Sequence, residues 1–185
     1  MSYTIVPHIE CWQNLIVPTE SPSVPTIKTP SFAKFIDNGA GSDGVWAWQF
    51  PHSKETHLFF VVPLPHSYWE GTDMDFHILW SPTTAAAGSV VWGLEYTWAN
   101  IGDVIPASTI STTTSATDST AYKHHITVLT TIPGTGKKIR STFMGRIYRD
   151  GGHASDTYNA DTALLEVSLT FKQNTVGSYD PIYKV

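Results

Sequence analysis

Two neighbouring segments of this chain alternate between apolar and other residues with a period of two. The apolar positions that share one parity are Met74, Phe76, Ile78 and Trp80 in the first segment, and Val90, Trp92, Leu94, Tyr96 and Trp98 in the second. This period is typical of half-buried β-strands. Strands with such heavy apolar faces need a second sheet to cover them. The pattern therefore predicts an all-β, two-sheet sandwich.

The composition indicates one domain with a sparsely charged surface. A chain of 185 residues buries roughly 70% of its unfolded-state surface on folding, which is enough for one substantial core. Charged residues make up 15% of the chain, against about 25% in typical soluble domains. Low charge combined with many aromatic residues is typical of surfaces that contact proteins or sugars. A Thr-rich β protein without such a partner is the alternative.

Charge, cysteine content and hydropathy exclude several classes of protein. The net charge is −5 and the eleven basic residues form no run longer than Lys137–Lys138, so we expect no nucleic-acid partner. The single cysteine, Cys11, excludes an intrachain disulfide and a cysteine-based zinc site. No apolar run approaches the roughly 20 residues of a membrane span. Residues 1–4 lack the start of a signal peptide, so we expect synthesis in a cytoplasm.

Proline density divides the chain into three parts. Residues 1–37 carry Pro7, Pro18, Pro22, Pro25 and Pro30, which predicts an extended N-terminal arm. This arm is too apolar for a solvated tail. It covers its own sandwich or reaches a neighbouring subunit, and composition leaves both alternatives open. Residues 38–178 are predicted to form the sandwich, and residues 179–185 a C-terminal tail.

Turn signals place the remaining elements. The segment 38–44 is a turn, and Pro133–Gly136 predicts a hairpin that joins strands at 122–132 and 138–149. Residues 100–120 are rich in Ser, Thr and Ala, which indicates a loop or a ragged edge. Only residues 155–164 are compatible with a short helix. About eight strands with long connections favour a jelly roll.

The candidate catalytic motifs are weak. Gly134–Lys138 resembles a phosphate-binding loop, but Lys138 stands where that motif needs Ser or Thr. Asp73 and Asp75 lie on one face of a strand like a glycosidase pair, but nothing in the sequence marks either of them as a general acid. We therefore expect no enzymatic activity and no cofactor.

Metal and ligand candidates are equally sparse. His153, Asp156 and Asp161 are close in sequence but lack the fixed ligand spacing of a metal site, so we expect no bound metal. The seven tryptophans are predicted to lie mostly in the core. Trp69, with its neighbour Tyr68, lies in a loop flanked by Pro and Gly, and this pair is the candidate for an exposed ligand or partner contact.

Several segments resemble a group of uncharacterised tailed-bacteriophage proteins. The similar segments are residues 76–84, 88–96, 145–150, 156–158 and 164–167, within a region that spans roughly 45–178. The resemblance implies a β-sandwich module like that of tumour necrosis factor, often trimeric, in a capsid decoration protein, a head fibre or a tail appendage. His77 and Glu95, set within the aromatic strands, need hydrogen-bond partners if they are buried.

These observations predict a non-enzymatic virion protein made in the host bacterial cytoplasm. The favoured function is a capsid decoration or cement protein, with a homotrimer and the major capsid protein or another virion protein as partners. The alternative is a receptor- or carbohydrate-binding module of a head fibre or tail appendage, with a host-surface glycan as partner. A depolymerase fragment is a further rival. Trp12, Leu15 and Phe35 of the arm are the candidates for subunit contact.

Overall fold

The computed structural model describes residues 10–18 and 27–184. These residues contain strands and turns, and no helix among them is long and apolar enough to cross a membrane. The ten strands are β1 (Cys11–Ile16), β2 (Ser31–Ile36), β3 (Val45–Phe50), β4 (Glu55–Pro63), β5 (Met74–Pro82), β6 (Ser89–Ala99), β7 (Thr109–Ala116), β8 (His125–Ile132), β9 (Thr142–Asp150) and β10 (Thr162–Gln173).

The strands form two antiparallel sheets packed face to face. The first sheet has the order β2-β3-β10-β5-β8, with β1 also paired to β10, and the second has the order β4-β9-β6-β7. From β3 to β10, successive strands lie in alternate sheets, except that β6 and β7 form a hairpin in the second sheet. The four antiparallel pairs β3–β10, β4–β9, β5–β8 and β6–β7 are those of a double-sheet jelly roll. The prediction of an all-β jelly-roll sandwich is confirmed.

The predicted arm contains two strands of the first sheet. β3 pairs with the first residues of β10, and β1 pairs with the later ones from Ser168 to Gln173, so that both lie along the same edge of β10. β2 extends the sheet beyond β3. The arm has backbone N–H groups between its prolines, and these donate hydrogen bonds to carbonyl groups on the open edges of the sheet. The described part of the arm therefore lies on its own sandwich, while residues 1–9 and 19–26 lie outside the described residues.

Two local predictions were wrong, and one of two alternatives was found for a third segment. β8 and β9 do not form a hairpin, because β8 belongs to the first sheet and β9 to the second. The segment that connects β8 to β9 passes very close to the loop between β4 and β5. A Cβ on Gly134 would lie 1.8 Å from the Thr72 carbonyl oxygen. Of the two alternatives for the segment 100–120, the structure has the edge, because the segment contains the edge strand β7. Residues 155–164 form turns and the start of β10 rather than a helix.

Large rings fill the space between the sheets. Trp80 and Trp92 are completely buried and their ring centroids lie 6.1 Å apart. The Phe60 ring stacks on the rings of Phe76 and Phe143, with centroid distances of 5.6 and 5.9 Å. These rings come from both sheets, as the alternating pattern of the sequence predicts for inward positions. The opposite parity of each strand is left to form the two outer faces.

Candidate functional site

A groove runs across the outer face of the second sheet. Its floor is formed by outward side chains of β4, β9 and β6, and its volume is about 580 Å³. Phe59 and Val61 of β4 form one wall and are 40% and 62% exposed. Met144 of β9 lies in register between Val61 and Thr97 of β6. The floor and this wall therefore give the groove apolar surfaces that solvent reaches.

The loop between β6 and β7 forms the opposite wall. The Thr97 hydroxyl donates a hydrogen bond to the Pro106 carbonyl at 2.9 Å. The Ser108 hydroxyl donates to Glu95 Oε1 at 2.7 Å. These two contacts hold the loop against the outward side chains of β6, so the groove has two fixed sides.

An ion-pair network centred on Arg146 lies in the floor. Arg146 Nε donates to Glu95 Oε2 at 2.8 Å, and Nη1 donates to Glu55 Oε1 at 3.1 Å. The His57 Nδ1 atom lies 3.3 Å from the same Nη1. Lys28 donates to Glu55 at 3.0 Å and closes the network at its outer end. The prediction that Glu95 needs a partner is met by Arg146 and Ser108.

A tyrosine ring supports the guanidinium. Arg146 lies 4.5 Å from the centroid of the Tyr148 ring, and Tyr148 is 5% exposed. The neighbouring strand makes room for this ring with Gly93, where a Cβ would lie 2.1 Å from Tyr148 Cζ. The stacked ring and the two carboxylates fix Arg146 in one orientation.

The network sets the protonation of its members. Hydrogen bonds from Ser108 and Arg146 lower the pKa of Glu95 below its usual value. Burial acts to raise the pKa of Glu55, but hydrogen bonds from Lys28 and Arg146 outweigh it and the pKa is lowered. Burial and then the charge of Arg146 lower the pKa of His57. At neutral pH the network therefore holds two carboxylates, of which Glu95 lines the groove, together with one guanidinium and a neutral imidazole.

The structure brings together two of the residues singled out in the sequence. Trp12 is 58% exposed on the outer face of β1, and Trp69 is half-buried. The Lys172 ammonium lies 5.5 Å from the Trp12 ring centroid and 6.0 Å from that of Trp69.

Tyr68 is completely buried, so the prediction of an exposed contact is wrong for this residue. Its hydroxyl donates to the Thr72 carbonyl and its ring packs near Trp98 and Phe171.

The other two arm residues make contacts within the chain. Leu15 is half-buried against the core and pairs in register with Leu169. Phe35 is half-buried and lies 5.5 Å from Tyr122, in an edge-to-face arrangement. A role of these residues in subunit contact stays a prediction.

The members of the Arg146 network were missed because each belongs to a different part of the sequence. Glu55, Glu95 and Arg146 come from three strands, and register alone places Glu95 opposite Arg146. The one available signal was a charged residue at an outward position within an aromatic strand, which singled out Glu95 but not its partner. His77, the other such residue, lies on the outer face of the first sheet, with Nδ1 3.4 Å from the Thr170 hydroxyl.

His153, Asp156 and Asp161 are close in sequence but form no chelating cluster in the described part of the chain. No group of three or more His, Cys, Asp or Glu side chains there is arranged to hold a metal ion. Asp156 is instead paired with Arg149 inside the protein. The side chains of Asp161 and His52 approach at 3.9 Å.

Comparisons with known proteins include two weak similarities to solved structures. No protein-family model matches the chain, and no curated protein matches it. The CBM22-2 xylan-binding domain of Xyn10C from Paenibacillus barcinonensis is 10% identical, with a TM-score of 0.42 over 86% of this chain and 91% of that domain. The arabinose-bound α-L-arabinofuranosidase MgGH51 is 12% identical, with a TM-score of 0.35 over 87% of this chain and 23% of that enzyme.

Proposed function

We propose that this protein is a non-catalytic glycan-binding module and that the groove of the second sheet holds the sugar chain. The observation that carries the proposal is the position of Arg146, which lies between Glu95 and Glu55 in an open groove beside the exposed Phe59 ring. Small-ligand sites combine apolar walls with a few fixed polar groups. The groove has both features on one rigid sheet.

Sugar chemistry fits this combination. A pyranose ring has an apolar face of C–H groups and a rim of hydroxyls that donate and accept hydrogen bonds. The Phe59 ring and Met144 offer surface to the apolar face. Fixed carboxylates and a guanidinium offer charge-assisted hydrogen bonds to the hydroxyls. Because the groove is open along the sheet face, it accommodates an internal segment of a chain.

The protonation of the groove favours binding over hydrolysis. Glycoside hydrolysis uses a pair of carboxyl groups, one of which stays protonated as a general acid because its pKa is raised. Here the pKa values of Glu55 and Glu95 are both lowered. Both carboxyls are therefore ionised at neutral pH, and both are engaged by Arg146.

Affinity electrophoresis tests the proposal with soluble xylan, mannan, dextran and alginate in the gel. We expect at least one of these polymers to retard the protein. Phe59→Ala and Arg146→Met should each weaken that binding about tenfold, equivalent to ~1.4 kcal/mol. Ile126→Ala is the matched control, because this exposed apolar side chain lies on the other sheet. Retardation that is equal in all four proteins, or absent with every polymer, contradicts the proposal.

A second candidate function is the self-associating structural subunit of a phage particle, as the sequence resemblance implies. The observation that favours it is the exposed aromatic surface on the β2–β3 ribbon, where Phe32 and Trp46 are 54% and 50% exposed and their ring centroids lie 6.0 Å apart. Exposed apolar patches often mark protein contacts. In a homotrimer, or against a capsid protein, these rings would be covered.

Light scattering after size-exclusion chromatography separates this second function from the first. A structural subunit should elute as a trimer, and Trp46→Ala should shift it towards the monomer. Trp12→Ala in an assembling particle should lower incorporation without lowering the melting temperature. A protein that stays monomeric at all concentrations and is absent from assembled particles contradicts a role in the virion.

A further inference from the structure

The outer face of the first sheet carries a second arrangement of aromatic and polar groups, far from the groove. We use the name tryptophan face for the surface formed by Trp12, Trp69 and Lys172 together with the polar row of Asn14, Thr170, Asp75 and Thr131. Lys172 pairs in register with Trp12, and its carbonyl accepts a hydrogen bond from the Trp69 backbone N–H at 2.8 Å. The backbone thus sets both indoles beside one ammonium group.

A straight polar row adjoins the indoles. Asn14, Thr170, Asp75 and Thr131 follow one another across β1, β10, β5 and β8 in register. Neighbouring strands lie about 4.8 Å apart, so the row spans roughly 14 Å. All four side chains belong to the outward parity of their strands, and none of them is buried. The row therefore offers hydrogen-bonding groups at regular intervals along a flat surface.

The internal hydrogen bonds of the row leave polar atoms pointing outward. The Thr131 hydroxyl donates to Asp75 Oδ1 at 2.6 Å, and the Thr170 hydroxyl donates to Asn14 Oδ1 at 2.7 Å. Among residues 10–18 and 27–184, no side-chain hydrogen bond engages Asp75 Oδ2 or the Asn14 amide nitrogen. One acceptor and one donor are thus held in place by their neighbours and remain available to a ligand.

We propose that the tryptophan face is a second glycan-contact site, so that one molecule binds two chains through opposite sides of the sandwich. The class of ligand rests on the proposed function of the groove. Indoles offer apolar area to sugar rings at low conformational cost, and the polar row offers partners for hydroxyl groups.

The charges of the tryptophan face favour a neutral chain. Lys172 contributes one positive charge and Asp75 one negative charge, on neighbouring rows of the same face. An anionic polymer such as alginate would meet the Asp75 carboxylate within its contact area. A neutral polysaccharide carries no charge for the Asp75 carboxylate to repel.

Binding on both outer faces has a consequence that single-site binding lacks. The two sheets place their outer faces on opposite sides of the core, so two chains bound there cannot compete for the same space. A bivalent module gathers chains into a network and gains avidity on a dense glycan surface. The protein would act as a cross-link between polysaccharide strands.

Turbidity of soluble xylan, mannan or dextran titrated with the protein tests this inference. The natural protein should cloud the polymer that it binds. Trp12→Ala and Asp75→Asn should abolish the turbidity while affinity electrophoresis changes by less than about threefold, because distant sites act independently. Ile126→Ala, on the same outer face, is the control and should cloud the polymer like the natural protein. Unfolding by urea checks that each variant is folded.

The outcomes distinguish the inference from the proposed function. If Trp12→Ala and Asp75→Asn leave turbidity unchanged while Phe59→Ala removes it together with binding, the tryptophan face is not a site and the groove stands. If Trp12→Ala removes all binding and Phe59→Ala removes none, the groove proposal fails and the tryptophan face is the sole site. A trimer in light scattering that clouds the polymer equally in both tryptophan-face variants also overturns the inference, because the copies then supply the valency.

Discussion

Arg149 and Asp156 form an ion pair in the interior of the protein, with both side chains completely buried. Arg149 Nη2 lies 2.7 Å from Asp156 Oδ1, and Nε lies 2.9 Å from Oδ2. The remaining guanidinium donors bind the backbone carbonyls of Phe50, Ala160 and Tyr158. Every N–H of the guanidinium is therefore satisfied, and the segment after β9 is fastened across the end of the sandwich.

Removing one member of this pair should be costly. In Asp156→Asn the guanidinium loses its counter-charge while it remains buried, and such a loss typically costs about 3–5 kcal/mol. Urea unfolding followed by tryptophan fluorescence measures the change. Asp37→Asn breaks the surface pair with Lys34 and should cost no more than about 1 kcal/mol. Equal losses in the two variants would show that the buried pair adds nothing specific.

The close approach of Gly93 and Tyr148 predicts a second sensitive position. In Gly93→Ala the new Cβ collides with the Tyr148 ring, which must move and carry Arg146 with it. We expect a loss of about 1–3 kcal/mol in the free energy of unfolding and weaker glycan binding in the groove. At Gly152 a Cβ would lie 3.7 Å from Asp150 Oδ1, so Gly152→Ala is the matched control. Unchanged glycan binding in Gly93→Ala would show that the position of the Tyr148 ring does not affect the groove.

A buried hydrogen bond ties Trp80 to strand β8. The indole N–H donates to the Thr127 hydroxyl at 2.9 Å, and that hydroxyl also lies 2.8 Å from the Ser115 hydroxyl of β7. Thr127→Val keeps the shape but leaves a buried donor unpaired, at a cost of about 1–3 kcal/mol. Thr112→Val, at an exposed position of β7, should change stability little, and chemical denaturation compares the two. If Thr127→Val left the free energy of unfolding unchanged, a water molecule would have to take the place of the hydroxyl.

Stability should fall with acidification in two steps that begin at different pH values. Burial lowers the pKa values of His57 and His77, so they contribute stability that is present above their usual pKa of 6.5 and is lost as the pH falls through the folded value. Glu55 and Glu95 have pKa values lowered from 4.5, so their contribution is lost below that pH. Urea unfolding as a function of pH should show both losses. His57→Gln should reduce the first loss, and Glu95→Gln the second.

Parity along single strands was predictable because it is local. Trp80 and Trp92 fall at inward positions of their segments, and both are buried as the alternation predicts. Leu15 shows where this reasoning stops. Its segment was interpreted as an arm because prolines surround it, yet Leu15 pairs with Leu169. The partner lies at the far end of the chain, and no local pattern connects the two.

The same division applies to the candidate site. Glu95 attracted attention as a charged residue in an aromatic strand, but Glu55 and Arg146 did not. Trp12 and Trp69 were each singled out for different reasons, and the structure sets both beside Lys172. In each case the sequence identified a residue, and the pairing register supplied its neighbours.

The sequence by itself determined the fold class, the inward faces of β5 and β6 and the low content of charged residues, because these follow from a period of two and from composition. Tertiary structure alone decided which outward side chains meet. Arg146 stands opposite Glu95 because β9 and β6 pair in one register, and a slip of one residue would turn either side chain to the other face. Contacts between strands that are distant in sequence depend on the closing of the sandwich, which no short stretch of the chain encodes.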